Sequence, residues 1–180
     1  MLPLPQGEGW GESLFFTPIQ AISMQPPTLT PHVLDSSRLQ TENVTPALYR
    51  ELLKNAQDCL WAKFEAGVSV RLLVEARAEA VDSVLAHAWQ NFGLHLESEL
   101  ALLAVGGYGR GELHLASDID VLVLHGHDPL PDTLKESISR FITLLWDLGL
   151  EVGSSVRSLS ECVESVSEEV TIATNVLEMR

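Results

Sequence analysis

Cysteine occurs only twice in these 180 residues, at Cys59 and Cys162, too few for a disulfide framework. Both fall in stretches of helical spacing and read as reduced thiols in or near a core. Positive charge is scarce as well: 11 Lys and Arg stand against 25 Asp and Glu, a formal net charge of −14. That balance repels nucleic acid and anionic membrane, whose recognition needs a basic face. A protein substrate suits it better than a tRNA or a DNA primer. No basic residue precedes Arg38, which excludes the charged start of a signal peptide and an Arg-rich transit peptide. No apolar run approaches ~18 residues, the length that spans a membrane. These absences lead to the expectation of a cytoplasmic protein.

What is present suffices for a core. Hydrophobic residues make up 46% of the chain, ordinary for a globular protein, and the length suits a single domain. Residues 1–44 hold six of the nine prolines and no sustained periodicity, and are expected to form a mobile leader. Thr45-Pro46 reads as an N-cap and first helical residue, opening a helix that runs to Gly67. A second helix is predicted over 69–92, giving a helical pair across 45–93. Arg71, Arg77 and Asp82 flank its apolar face; they read as solvated positions, with one arginine reaching a bound phosphate as the alternative. His125-Gly126-His127-Asp128-Pro129 reads as an exposed polar turn, since no third metal ligand lies nearby in sequence. Asp132 is expected to cap a helix ending at Gly149, followed by a strand over 150–156. Ser158 and Glu161 have capping-box spacing, and a last helical segment is predicted over 168–179.

The chemistry concentrates in residues 101–124. Two short aliphatic runs, 100–105 and 121–124, read as buried strands. Between them lie Gly106-Gly107, a glycine-rich connection, and Ser117-Asp118-Ile119-Asp120. Strand residues i and i+2 share a face, so Asp118 and Asp120 project together while Ile119 and Val121 face the core. At ~6 Å and an effective dielectric of ~20, two such carboxylates repel by about 2–3 kcal/mol. Hard oxygen ligands of this kind suit Mg²⁺ or Mn²⁺, which bring substrate phosphates with them. Gly106 and Gly107 let backbone N–H groups approach a polyphosphate. The stretch therefore predicts a site for a nucleotide and a divalent metal.

Gly106-Gly107, ten residues, then Asp118-x-Asp120 between two apolar strands resembles the signature of the DNA-polymerase-β-type nucleotidyltransferase superfamily. The fuller string, from Val105-Gly-Gly-Tyr-Gly-Arg-Gly-Glu-Leu to Ser117-Asp-Ile-Asp-Val-Leu, is similar to one branch of it. That branch is the N-terminal transferase domain of the bifunctional enzymes that uridylylate, and remove uridylyl groups from, the PII nitrogen-signalling protein. Leu145-Trp-Asp-Leu-Gly-Leu-Glu-Val-Gly153, Ser155-Val156-Arg157 and Thr171-Ile-Ala-Thr-Asn175 extend the likeness, which covers roughly residues 46–180. The resemblance implies an α+β, polymerase-β-like fold: a small mixed sheet flanked by helices over 94–180, with the helical pair as an N-terminal addition. It also implies transfer of UMP from UTP to a PII tyrosine, with two metal ions held by Asp118 and Asp120. Protein adenylyltransferases of the type that modify glutamine synthetase are the alternative. In the wider superfamily a serine follows the first glycine; here Gly107 stands there, so backbone N–H groups, helped by Ser117 or Arg110, must bind the phosphates. Arg110 is either a counterion for the leaving pyrophosphate or a surface cation, and Tyr108 either stacks on a base or covers the turn. The third carboxylate of such a site is Glu151 or Glu169. The family continues into HD hydrolase and ACT domains, so the chain is expected to be a fragment, either carrying the transferase half-reaction alone or binding nucleotide without turnover.

Other nucleotide and metal motifs fail on residues. Gly107-x-Gly109-x-x-Glu112 lacks the third glycine of a dinucleotide fingerprint, and the Lys and Ser/Thr of a P-loop are missing. An EF-hand needs further oxygen ligands and a Glu at loop position twelve.

Overall fold

The computed structural model describes residues 32–40, 44–168 and 170–180. Most of the expected leader (1–31 and 41–43) and Glu169 therefore lie outside the described residues. Helix α1 covers Pro46–Glu65 and α2 Val70–Asn91. The Thr45 hydroxyl accepts a hydrogen bond from the Leu48 N–H at 3.3 Å, with Pro46 in the first turn, as the sequence predicts. Strand β1 (Leu100–Ala104) leads into a one-turn helix α3 (Gly106–Gly109), where the sequence showed a glycine-rich connection. Strand β2 (Ile119–His125), helix α4 (Asp132–Asp147) and strand β3 (Val152–Ser158) follow. Helices α5 (Leu159–Glu168) and α6 (Val170–Leu177) come next.

The sheet is three-stranded and mixed, in the order β1-β2-β3. β1 runs antiparallel to β2, with Ala104 level with Val121, and β3 runs parallel to β2, with Gly153 level with Asp120. Two parallel neighbours require a crossover, and α4 supplies it. The small mixed sheet with flanking helices is the α+β architecture expected.

Period-two alternation divides β2 between two apolar clusters. Ile119, Val121 and Val123 join the larger one with Tyr49 and Leu52 of α1, Val84 and Ala88 of α2, and Phe141 and Leu145 of α4. On the other face Leu122 packs with Val105 and Cys162, and Leu103, Leu124 and Val176 of α6 close around them. Asp118 and Asp120 share the parity of Leu122, so they belong to the side of the sheet covered by α5 and α6. Both cysteines are free thiols, Cys162 buried and Cys59 partly so.

Three local expectations change. Pro131, without a side-chain hydrogen bond, holds the N-cap position of α4, and Asp132 is its first residue, accepting from Lys135 Nζ at 2.9 Å. β3 begins two residues later than expected and ends at Ser158. His125 is no exposed turn residue: it is the buried last residue of β2, its Nδ1 3.0 Å from the His127 carbonyl oxygen. The capping box holds as predicted, with the Ser158 N–H donating to Glu161 Oε2 at 2.7 Å and the Glu161 N–H to Ser158 Oγ at 3.1 Å. Among the described residues no helix is long and apolar enough to cross a membrane.

Phe141 is wholly buried and meets Trp89 and Phe92 edge-on, with ring centroids 5.2 and 6.1 Å apart. Phe141→Ala is expected to lower unfolding stability by about 3–5 kcal/mol in urea titration. A loss below about 1 kcal/mol would contradict this core.

Candidate active site

The turn after β1 is shaped by backbone bonds. The Val105 N–H donates to the Asp120 carbonyl at 3.0 Å, tying the exit of β1 to the entry of β2. The Gly109 N–H then bonds Val105 and the Arg110 N–H bonds Gly106, closing α3 as a single turn. Gly106 opens that turn at φ 60°, a conformation side chains resist. The N–H groups of Gly106 and Gly107 lie in the first turn, where helical donors have no intrahelical partner.

Tyr108 covers the turn. Its ring is buried, its hydroxyl donates to Asp82 Oδ1 at 2.6 Å, and the Arg180 guanidinium lies 5.5 Å over it. Burial, aided by the adjacent Asp82 charge, pushes its phenol well above the ordinary tyrosine range. A ring so placed is not available to stack on a base. Arg180 also bonds Asp82 and donates to the Tyr108 carbonyl at 3.3 Å, so α2, α3 and the residues after α6 meet here.

Arg77 and Asp82, read from sequence as solvated positions on α2, are thus structural partners of this turn. The half-buried Arg77 guanidinium donates to the carbonyl oxygens of His114 and Ser117, and burial lowers its pKa. It ties down residues 114 and 117, just before the acidic pair. Arg71 stays a surface residue, 2.9 Å from Glu75.

Gly107, Arg110, Ser117, Asp118 and Asp120 line one cavity of about 410 Å³. Gly106 borders it: a Cβ built there would lie 3.6 Å from Asp120 Oδ2 and 3.7 Å from Asn175 Oδ1. All six residues singled out from the sequence therefore converge. Arg110 is already engaged, its Nε donating to Glu112 at 3.3 Å and an Nη to Glu178 at 2.5 Å. Those carboxylates raise its pKa. Partial burial lifts the Asp120 carboxyl above the usual range, and the Asp118 charge adds to the effect. A cation would relieve that strain, and two carboxylate oxygens beside an open glycine face are a donor set suited to Mg²⁺ or Mn²⁺.

For the third acid the sequence offers Glu151 or Glu169. Glu151 lies just before β3, its carbonyl accepting from the Ile119 N–H at 2.8 Å. Among the described residues no group of three His, Cys, Asp or Glu side chains is placed to hold a metal. Glu169 lies outside the described residues. Level with Asp120 on β3 stands Gly153, where a Cβ would run into the Asp120 carboxylate. The strand neighbour thus leaves room for the acid rather than adding another. Gly153 and Asn175 both sit in stretches that carried the family likeness, but their roles depend on register and helix docking. His125 and His127 stand at the far end of β2, with His127 Nδ1 3.4 Å from Glu99.

Comparison with known proteins matches residues 51–168 to the family model described as "Putative nucleotidyltransferase DUF294". The chain is 44% identical over 158 residues to a bifunctional uridylyltransferase/uridylyl-removing enzyme of Pseudomonas savastanoi pv. phaseolicola, covering 86% of the chain and 18% of the relative. The enzyme of the same description from Azotobacter vinelandii is 46% identical over 160 residues, with the same two coverages. That of Pseudomonas fluorescens is 42% identical over 158 residues, covering 86% and 17%. The chain thus spans less than a fifth of the length of the curated relatives it matches.

Arg77→Met removes both bonds to the loop. We expect amide exchange at Ser117 to accelerate and stability to fall by about 1–3 kcal/mol. Unchanged exchange would show that the loop holds itself.

Proposed function

This chain belongs to the DUF294 nucleotidyltransferase family, and we propose from that footing that it transfers UMP from UTP to a tyrosine hydroxyl of the PII nitrogen-signalling protein. The observation that carries the proposal is the Asp118–Asp120 pair opening onto one cavity with Gly107, Arg110 and Ser117. The uridylyl group is supported by the description shared by the relatives. In this reading residues 94–180 form the transferase core, 45–93 its helical addition and 1–44 a leader, in a cytoplasmic protein acting on a protein and not on nucleic acid.

The phenolic oxygen of the acceptor gives up its proton to solvent and bonds to the α-phosphorus while the bond to the bridging oxygen breaks and pyrophosphate leaves. Asp118 and Asp120 would hold Mg²⁺ or Mn²⁺, which would supply charge neutralisation for the nucleotidyl transfer. The N–H groups of Gly106 and Gly107 and the Ser117 hydroxyl bind the outer phosphates. Arg110 exchanges Glu178 for the pyrophosphate, a charge-assisted contact in either state. Gly153 keeps the Asp120 carboxylate free to face the cation.

Metal-dependent incorporation of labelled UTP or ATP into PII and into glutamine synthetase tests the assignment. Label from UTP on PII is expected; label from ATP on glutamine synthetase would overturn both base and acceptor. Calorimetric binding of UTP with Mg²⁺ but background turnover would assign catalysis to a longer chain. Asp118→Asn and Asp120→Asn should each lower cation-assisted UTP affinity or turnover by roughly 100-fold or more. Gly153→Ala should approach the same loss by displacing Asp120, since ~1 Å of misplacement can cost ~100-fold. Undiminished cation-assisted UTP affinity in Asp120→Asn would refute the site.

A further inference from the structure

The acidic pair is short of protein oxygens. Magnesium prefers six oxygen ligands in near-octahedral array and binds few carboxylates, with water and phosphate filling the rest. Asp118 and Asp120 supply two side chains, and β3 presents Gly153 at the level of Asp120. The face of the sheet that carries Asp120 is, however, also the face that α6 covers. Val176 packs against the cluster of Val105, Leu122 and Cys162, which seats α6 on the strands. Its neighbour Asn175 is thereby carried to the rim of the site.

We infer that the Asn175 side-chain amide oxygen is the third protein oxygen of the Asp118–Asp120 cation site. The inference rests on the cation-binding reading of that pair. Asn175 Oδ1 and Asp120 Oδ2 lie 3.7 and 3.6 Å from one point, the place a Cβ of Gly106 would occupy. Gly106 has no such atom, so no side chain of its own crowds either oxygen. Among the described residues no hydrogen bond engages the Asn175 amide, and the residue is half-buried. An amide oxygen is a hard, neutral donor that suits Mg²⁺ and Mn²⁺. It completes the site without the further repulsion that a third carboxylate would bring. The amide can also turn its nitrogen inward, and the two orientations predict different variants.

Manganese titration of the 180-residue chain, without nucleotide, separates them when free Mn²⁺ is read by electron paramagnetic resonance. Asn175→Ala is expected to weaken Mn²⁺ binding about 10-fold. Asn175→Asp, which keeps the oxygen, should bind at least as tightly as the unaltered chain. If Asn175→Ala melts at a lower temperature, Asn175→Ser and Asn175→Asp carry the comparison. Mn²⁺ affinity of Asn175→Ala within twofold of the unaltered chain would overturn the inference. So would equal weakening by Asn175→Asp and Asn175→Ala, which would make the amide a donor to something other than the ion. Should the unaltered chain and Asp120→Asn both fail to bind Mn²⁺, the cation reading of the acidic pair falls as well.

Discussion

The alternation of side chains along β2 is the constraint on which the rest depends. Ile119, Val121 and Val123 are driven into the larger core because each removes apolar surface from water, worth about 1.5–3 kcal/mol per fully buried aliphatic side chain. With those three fixed, Asp118 and Asp120 have only the opposite face available. A slip of one residue in register would reverse every position, putting two carboxylates into the core. The geometry of the acidic pair is therefore enforced by its apolar neighbours, and the pair need contribute nothing to folding.

Charge follows from that placement. Two acids are held together at the mouth of a cavity on a chain already carrying net charge −14. The near cation, Arg110, is shared between Glu112 and Glu178, so it does little to offset Asp118 and Asp120. Partial burial raises the pKa of Asp120, and the neighbouring Asp118 charge adds to it. Glycine at 106 and 153 keeps side chains away from the Asp120 carboxylate on two sides.

Much of this was legible before any coordinates. Asp118-x-Asp120 after a glycine pair specifies parity and chemistry together, because strand alternation is local. The Thr45 cap and the Ser158–Glu161 box are likewise short-range patterns, and both are present. What escaped the sequence depends on pieces that meet across long separations. Gly153 acquires meaning only through its register with Asp120, and Arg77 only because its turn of α2 lies under the carbonyls of residues 114 and 117. Hydrophilicity misled in two places. His125 belongs to a strand that carries it inside, and Asp82, though still partly exposed, bonds Tyr108 and Arg180. The glycine connection concealed a helical turn because glycine permits many conformations and favours none strongly.

Tyr108 lines the same cavity as Asp118 and Asp120. Its own oxygen is turned away beneath α2, with its proton committed to Asp82 and its ring capped by Arg180. Burial keeps that oxygen from ionising, and packing keeps it from swinging out. The one tyrosine lining this cavity is in this way part of its wall, with hydroxyl and ring both committed to neighbours from α2 and the residues after α6.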